Sequence, residues 1–136
     1  MKRLYLVMWI LAGTAWPTMQ AQSTTVMRAD IPFEFRVGDS VMPAGSYQID
    51  YAAKFVTFRE HNGKHALIRL LSPVTRLQTS TEGTLEFHRY DNDYFLAKIW
   101  APYSESGRAV PKTELEKEIA SRMGAPQRTE VALHSK

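Results

Sequence analysis

Over residues 27–37 apolar and polar side chains alternate almost without error. Met27, Ala29, Ile31, Phe33, Phe35 and Val37 are apolar, and Arg28, Asp30, Pro32, Glu34 and Arg36 lie between them. A period of two predicts a strand with one buried face. Pro32 has no N–H to give to a ladder, so the strand is expected at a sheet edge or interrupted there. Gly38-Asp39 ends it, and Pro43-Ala44-Gly45 makes the next turn. Tyr47, Ile49 and Tyr51 then alternate with Gln48 and Asp50 in a second strand. Residues 54–59 and 65–71 flank Asn62-Gly63, the dipeptide preferred in a type I′ hairpin. That register sets His61 opposite Lys64 and Glu60 opposite His65. Phe55, Thr57, Ala66, Ile68 and Leu70 fall on one face, and Val56, Phe58 and Leu67 with Arg69 on the other. Both faces are partly apolar, so this hairpin is expected to be central or covered on both sides.

Residues 72–83 are rich in Ser and Thr and contain Pro73. They read as a long connection with a short strand at 74–78. Residues 84–100, TLEFHRYDNDYFLAKIW, hold the turn formers Asp91-Asn92-Asp93 between two apolar-rich runs. A three-residue loop pairs Tyr90 with Tyr94, Glu86 with Lys98 and Leu85 with Ile99. Leu85, Phe87, Phe95, Ala97 and Ile99 then share one face, with Arg89 at the rim. A two-residue loop at Asn92-Asp93 would set Phe87 against Lys98, so the buried face selects the longer loop. The second face carries His88, Tyr90, Tyr94, Leu96 and Trp100.

Residues 102–111 read as a loop. Thr113 and Glu116 form a capping box, and Gly124 and Pro126 stop the helix it opens, about 114–123. Leu115, Ile119 and Met123 make one narrow stripe, with Ala120 beside it. So short a helix needs a docking surface. The second face of the central hairpin is the largest apolar surface without a cover, so the helix is expected there, with Trp100 mostly buried. Residues 127–136 are expected to form a flexible tail. Six or seven short strands and one C-terminal helix predict a mainly β fold, an antiparallel β-sandwich or small barrel.

The start of the chain changes the setting. Lys2 and Arg3 precede an uncharged apolar run over 4–16, then Pro17 and a short polar stretch. This is the layout of a signal peptide, residues 1–21, with cleavage near Ala21, although Met19 stands where a small residue is preferred. The run is short for a membrane span. The expectation is a secreted or periplasmic chain with a single domain over 22–126 and no stable membrane span after cleavage. Export permits disulfides, yet the sequence has no cysteine. The mature chain must rely on an apolar core, for which about 115 residues suffice. Removing Lys2 and Arg3 from the 17 basic residues leaves 15 against 14 acidic ones, a net charge of +1. The basic residues are dispersed among acids, which argues against a nucleic-acid partner.

Candidate chemistry is sparse. His61 and His65 fall on opposite faces of their hairpin, and His88 and His134 lack ligands at useful spacing, so no metal or cofactor is expected. There is no GxSxG, no phosphate loop and no dinucleotide fingerprint. Asp91 and Asp93 are explained by their turn. What remains is the polar-aromatic face, with His88, Tyr90, Tyr94 and Trp100 as candidate ligand-binding residues. Arg89 lies on the opposite face in this register. The rings either pack under the helix or a loop, or form a binding surface. The functional expectation is a non-catalytic exported module that binds a ligand or a cell-envelope partner. Strand 27–37, as an edge, could pair with a partner strand. The alternatives are a hydrolase-like enzyme using His88 with a carboxylate, and a small barrel carrying an apolar ligand. A concave site with His88 beside an acid would favour the enzyme, and a helix-covered face the module.

The stretches IPFEFRVG, MPAGSYQI, LEFHRYDNDYFLAKIW and VPKTELEKEIA occur in that order over most of the mature chain. In this the sequence resembles a family of small secreted proteins of acidobacterial-type soil bacteria. The resemblance implies export, one domain and a β-rich fold. It implies no activity, cofactor or catalytic residue.

Overall fold

The structure, a computed structural model, describes Pro17 and residues 24–68 and 71–135. The residues expected to form the signal peptide lie almost wholly outside this set. The described elements are β1 (Thr25–Ile31), β2 (Phe35–Val37), β3 (Ser40–Met42), β4 (Gly45–Tyr51), β5 (Val56–Glu60), β6 (His65–Ile68), β7 (Ser72–Ser80), β8 (Gly83–Tyr90), β9 (Asp93–Trp100), β10 (Ser104–Ala109), α1 (Glu114–Met123) and β11 (Gln127–Ser135). The fold is mainly β with one C-terminal helix, as the sequence predicts. The strands run in the order β3-β2-β9-β8-β11-β1-β4-β5-β6, and β10 branches off β9 to carry β7. Near the two ends of this path β2 approaches β6, so the sheet curls into a nearly closed barrel. Among the described residues no helix is long and apolar enough to cross a membrane.

The barrel interior is filled by the inward faces of its strands. Met27, Ile31, Phe35, Met42, Tyr47, Ile49, Val56, Phe58, Leu85, Phe87 and Ile99 are fully buried. Phe35 sits among three rings, edge-on to Tyr47 (5.2 Å), Phe87 (5.5 Å) and Phe58 (6.2 Å). Burial of this many large apolar side chains is the main force holding a chain without disulfides.

Several local expectations are corrected by tertiary pairing. The alternating stretch is interrupted at Pro32, as expected, but β1 is no edge: it lies between β4 and β11. Gly38, with φ 57°, opens a two-residue turn into β3, because Val37 pairs with Ser40. The β5–β6 hairpin is shifted by one residue from the type I′ register. Phe58 pairs with Ala66 and Val56 with Ile68, and the loop is His61-Asn62-Gly63 with only Gly63 at positive φ (95°). This shift puts Val56, Phe58, Ala66 and Ile68 on a single buried face, where the other register split them between two. The side chain of Leu67, and Arg69 and Leu70, lie outside the described residues.

Two segments read as connections are strands: β7 is nine residues long, and β10 runs through the supposed loop at 102–111. The supposed tail is β11, which pairs along β8 from Gln127↔Arg89 to Leu133↔Gly83 and also touches β1. Its alternation of Thr129, Val131 and Leu133 with Arg128, Glu130 and Ala132 is the period-two signal of a strand. Without β11 the facing edges of β8 and β1 would keep unpaired N–H and C=O groups.

Candidate functional site on the outer face of β8, β9 and β11

The outer face is set by a bulge. Near the turn Phe87 pairs with Leu96 and His88 with Phe95, but further out Glu86 pairs with Lys98 and Leu85 with Ile99. Ala97 is the extra residue on β9. The outer pairs therefore keep the three-residue-loop register, while the turn itself is the two-residue Asp91-Asn92, with Asp91 at φ 54°. The slip exchanges sides near the turn. Leu96 joins the barrel core with Leu85, Phe87 and Ile99, and Phe95 turns outward to Tyr90 and Ile119. Tyr94 also leaves the expected face. It stacks on Phe33 at 3.8 Å, against the core, with the Arg89 guanidinium 5.5 Å over its ring. Of the four candidate binding residues, His88, Tyr90 and Trp100 share the outer face and Tyr94 does not.

Helix α1 covers the turn-proximal half of this face. Thr113 caps it by accepting from the Glu116 N–H (3.2 Å), and the Gly124 N–H closes it onto Ala120 O (2.9 Å). The capping box is only half formed, because the Glu116 side chain points at the sheet. Its Oε1 lies 2.8 Å from His88 Nδ1 and accepts from the Tyr90 hydroxyl at 3.3 Å. Glu116 is only 3 % exposed. Burial raises the Tyr90 hydroxyl pKa above its usual value, and the Glu116 charge and hydrogen bond push it the same way. Ile119 packs on Tyr90 and Phe95, with Ala120 beside it. The helix docks on the expected face, but its stripe is turned. Glu116, Ile119 and Ala120 face in, and Leu115 and Met123 are left exposed.

Trp100 is buried, as expected, but β10 and β7 cover it. Gly107 pairs with Trp100, and a Cβ there would come within 2.8 Å of both Ile99 O and Trp100 Cζ3. On β7, Thr75 pairs with Ser106 and Ser80 with Ser104, so residues 76–79 bow away opposite Glu105 alone. Arg76 folds back from this bow. Its Nε and Nη2 donate to Ser104 O (3.2 and 2.9 Å), and its guanidinium lies 5.1 Å over the Trp100 ring.

Beneath the bow runs a groove of about 1010 Å³. Thr75, Arg76, Gln78, Thr79 and Ser80 line its wall, and Thr84, Glu86, Lys98, Trp100, Arg128 and Glu130 its floor. Glu86, paired with Lys98 as the sequence predicts, is only 5 % exposed. It accepts from Lys98 Nζ and Trp100 Nε1, each at 3.4 Å. On β11 Glu130 pairs opposite Glu86 and Arg128 opposite His88, and Arg128 Nε lies 3.4 Å from Glu130 Oε1.

No protein-family model, curated protein or solved structure matches this chain.

The outer face thus holds two arrangements. The first is a His88–Glu116–Tyr90 cluster, buried at Glu116 and Tyr90 and half-buried at His88, that ties α1 to the sheet. The groove lining includes none of its members. The second is the groove, a polar concavity with fixed charges. Among the described residues no three metal-ligating side chains converge. Sequence reasoning found His88, Trp100 and the Glu86–Lys98 pair but missed Glu116, Arg76, Arg128 and Glu130 as their neighbours on one face. Two signals were available: the alternation in 127–135, and Arg76 as the one charged residue in 72–81.

Proposed function

We propose that this chain is an exported, non-catalytic β-barrel-like module that binds its ligand or cell-envelope partner in the groove under β7. The observation that carries the reading is the groove itself, the site where a concave surface meets fixed polar and charged groups. The signal-peptide layout supports export. The filled interior weighs against an apolar ligand carried inside the barrel, because Phe35, Phe58 and Phe87 already occupy it. The hydrolase alternative draws on the His88–Glu116 pair, which matches a base with its orienting acid. Glu116 Oε1 is shared with Tyr90, and the pair sits under the helix rather than in the groove. A docking role accounts for both hydrogen bonds.

Residues 27–37 offer no edge for strand addition, since β1 lies between β4 and β11 and β2 between β3 and β9. The test has two arms. N-terminal sequencing of the chain from its native host should show removal of about the first twenty residues, and an intact Met1 in the cytoplasm would refute export. On washed envelope fractions, a groove-filling Thr84→Trp variant should lose retention, while Met123→Ala on the exposed side of α1 should keep it. Equal retention of both would refute the groove.

A further inference from the structure

Resting on that reading of the groove, we infer that its ligand is an acidic oligosaccharide, a polyhydroxylated chain carrying carboxylates. The charge balance points this way. Glu86 is paired with Lys98 and Glu130 with Arg128. Among the described residues Arg76 has no carboxylate partner: its contacts are Ser104 O and the Trp100 ring. Glu105, the acid of β10, accepts instead from Thr79 Oγ1 at 3.2 Å. A guanidinium has five N–H donors in one plane. Two are spent on Ser104 O, so three remain for an incoming anion. The indole beneath and the carbonyl at its edge hold that plane in place, so little side-chain freedom is lost when a carboxylate binds. Trp100 is thus a positioning residue for Arg76.

Size and lining select the rest of the ligand. An open groove of about 1010 Å³ suits an extended oligomer better than a single small ring. On its wall Thr75, Gln78 and Thr79 supply hydroxyls and an amide that match sugar hydroxyls, beside the apolar Val74 and Leu77. A strand-adding peptide fits less well, because residues 76–79 are bowed and offer no regular ladder.

The test uses the full chain carrying Trp9→Phe and Trp16→Phe, which leaves Trp100 as the sole indole. It is titrated with an oligogalacturonate, a neutral cello-oligosaccharide of equal length and a polyglutamate peptide, reading indole emission and heat. The oligogalacturonate should bind saturably and weaken as salt rises from about 0.05 to about 0.5 M. Arg76→Ala should lower its affinity roughly tenfold, the loss of one charge-assisted contact. Arg76→Lys should recover part of it. Arg128→Gln, at an exposed position that leaves the β7 bow intact, should lower it a few-fold. Unchanged affinity in both Arg76→Ala and Arg128→Gln, with native circular dichroism, would overturn the assignment. Equal binding of the neutral sugar, or preference for polyglutamate, would overturn it too, while leaving the groove as the site. No response to any of the three would overturn it, and envelope retention of Thr84→Trp then judges the groove separately.

Discussion

Replacing Glu116 with Ala tests how the helix is held to the barrel. Its carboxylate is 3 % exposed and meets His88 Nδ1 at 2.8 Å and the Tyr90 hydroxyl at 3.3 Å. Loss of the short bond, made to a charged acceptor, costs about 1.5–3 kcal/mol. The buried Tyr90 hydroxyl is left without its acceptor, a further penalty of about 1 kcal/mol or more. Relief of the carboxylate's own desolvation offsets part of this. The net expectation is a loss of about 3 kcal/mol, or a fall of roughly 10 °C in Tm for a domain of this size. Urea and thermal unfolding followed by far-UV circular dichroism give the value. Glu118→Ala is the control, because Glu118 is exposed and paired only with Arg122, so its change should stay within about 0.5 kcal/mol. A double-mutant cycle with His88→Ala should return a coupling of about 1–2 kcal/mol. Equal costs for Glu116→Ala and Glu118→Ala, or a coupling near zero, would refute the docking role and return His88 to the list of groups free for chemistry.

Tyr47 is fully buried, donates to Pro43 O, and has its pKa pushed up to about 12, first by burial and then by the Glu60 charge. Its folded form holds the phenol proton more tightly than the unfolded chain, so this stability is whole below about pH 10 and is lost as pH rises toward 12. Unfolding free energy measured across that window should fall in the native chain and fall less in Tyr47→Phe; parallel curves would count against it. Gly107→Ala should cost about 1–3 kcal/mol and shift the Trp100 emission, because the added methyl meets the indole and the Ile99 carbonyl; an unchanged midpoint would mean that β10 lies farther from Trp100. Truncation after Pro126 removes β11 and should abolish the cooperative transition in near-UV circular dichroism, whereas a tail would leave it intact.

The face-by-face consequences of one bulge show where local reading stops. In the central hairpin the outer pairs, Glu86 with Lys98 and Leu85 with Ile99, follow from alternation and were legible. The extra residue at Ala97 was not, because Phe95, Leu96 and Ala97 are all apolar and only the surroundings decide which turns inward. Phe33 and the barrel core take Tyr94 and Leu96, and α1 takes Phe95. The same limit applies to Glu116. Its spacing from Thr113 was read as a capping box, yet His88 and Tyr90 compete for the carboxylate across 26–28 residues of sequence and win.

Sequence alone determined the class of fold, the break at Pro32, the helix with its Thr113 and Gly124 caps, and the burial of Trp100. These depend on period, backbone restriction and apolar surface, which neighbouring residues carry with them. Tertiary structure alone decided that 127–135 is a central strand, that β7 bows over the outer face, and that Arg76 lies on Trp100. Those outcomes turn on which unpaired backbone edge meets which strand, and on the Ser104 carbonyl lying within reach of the Arg76 guanidinium beside the bow. Hydrogen-bonding groups must find partners once water is excluded, and the identity of the partner is written in the assembled sheet rather than in the segment.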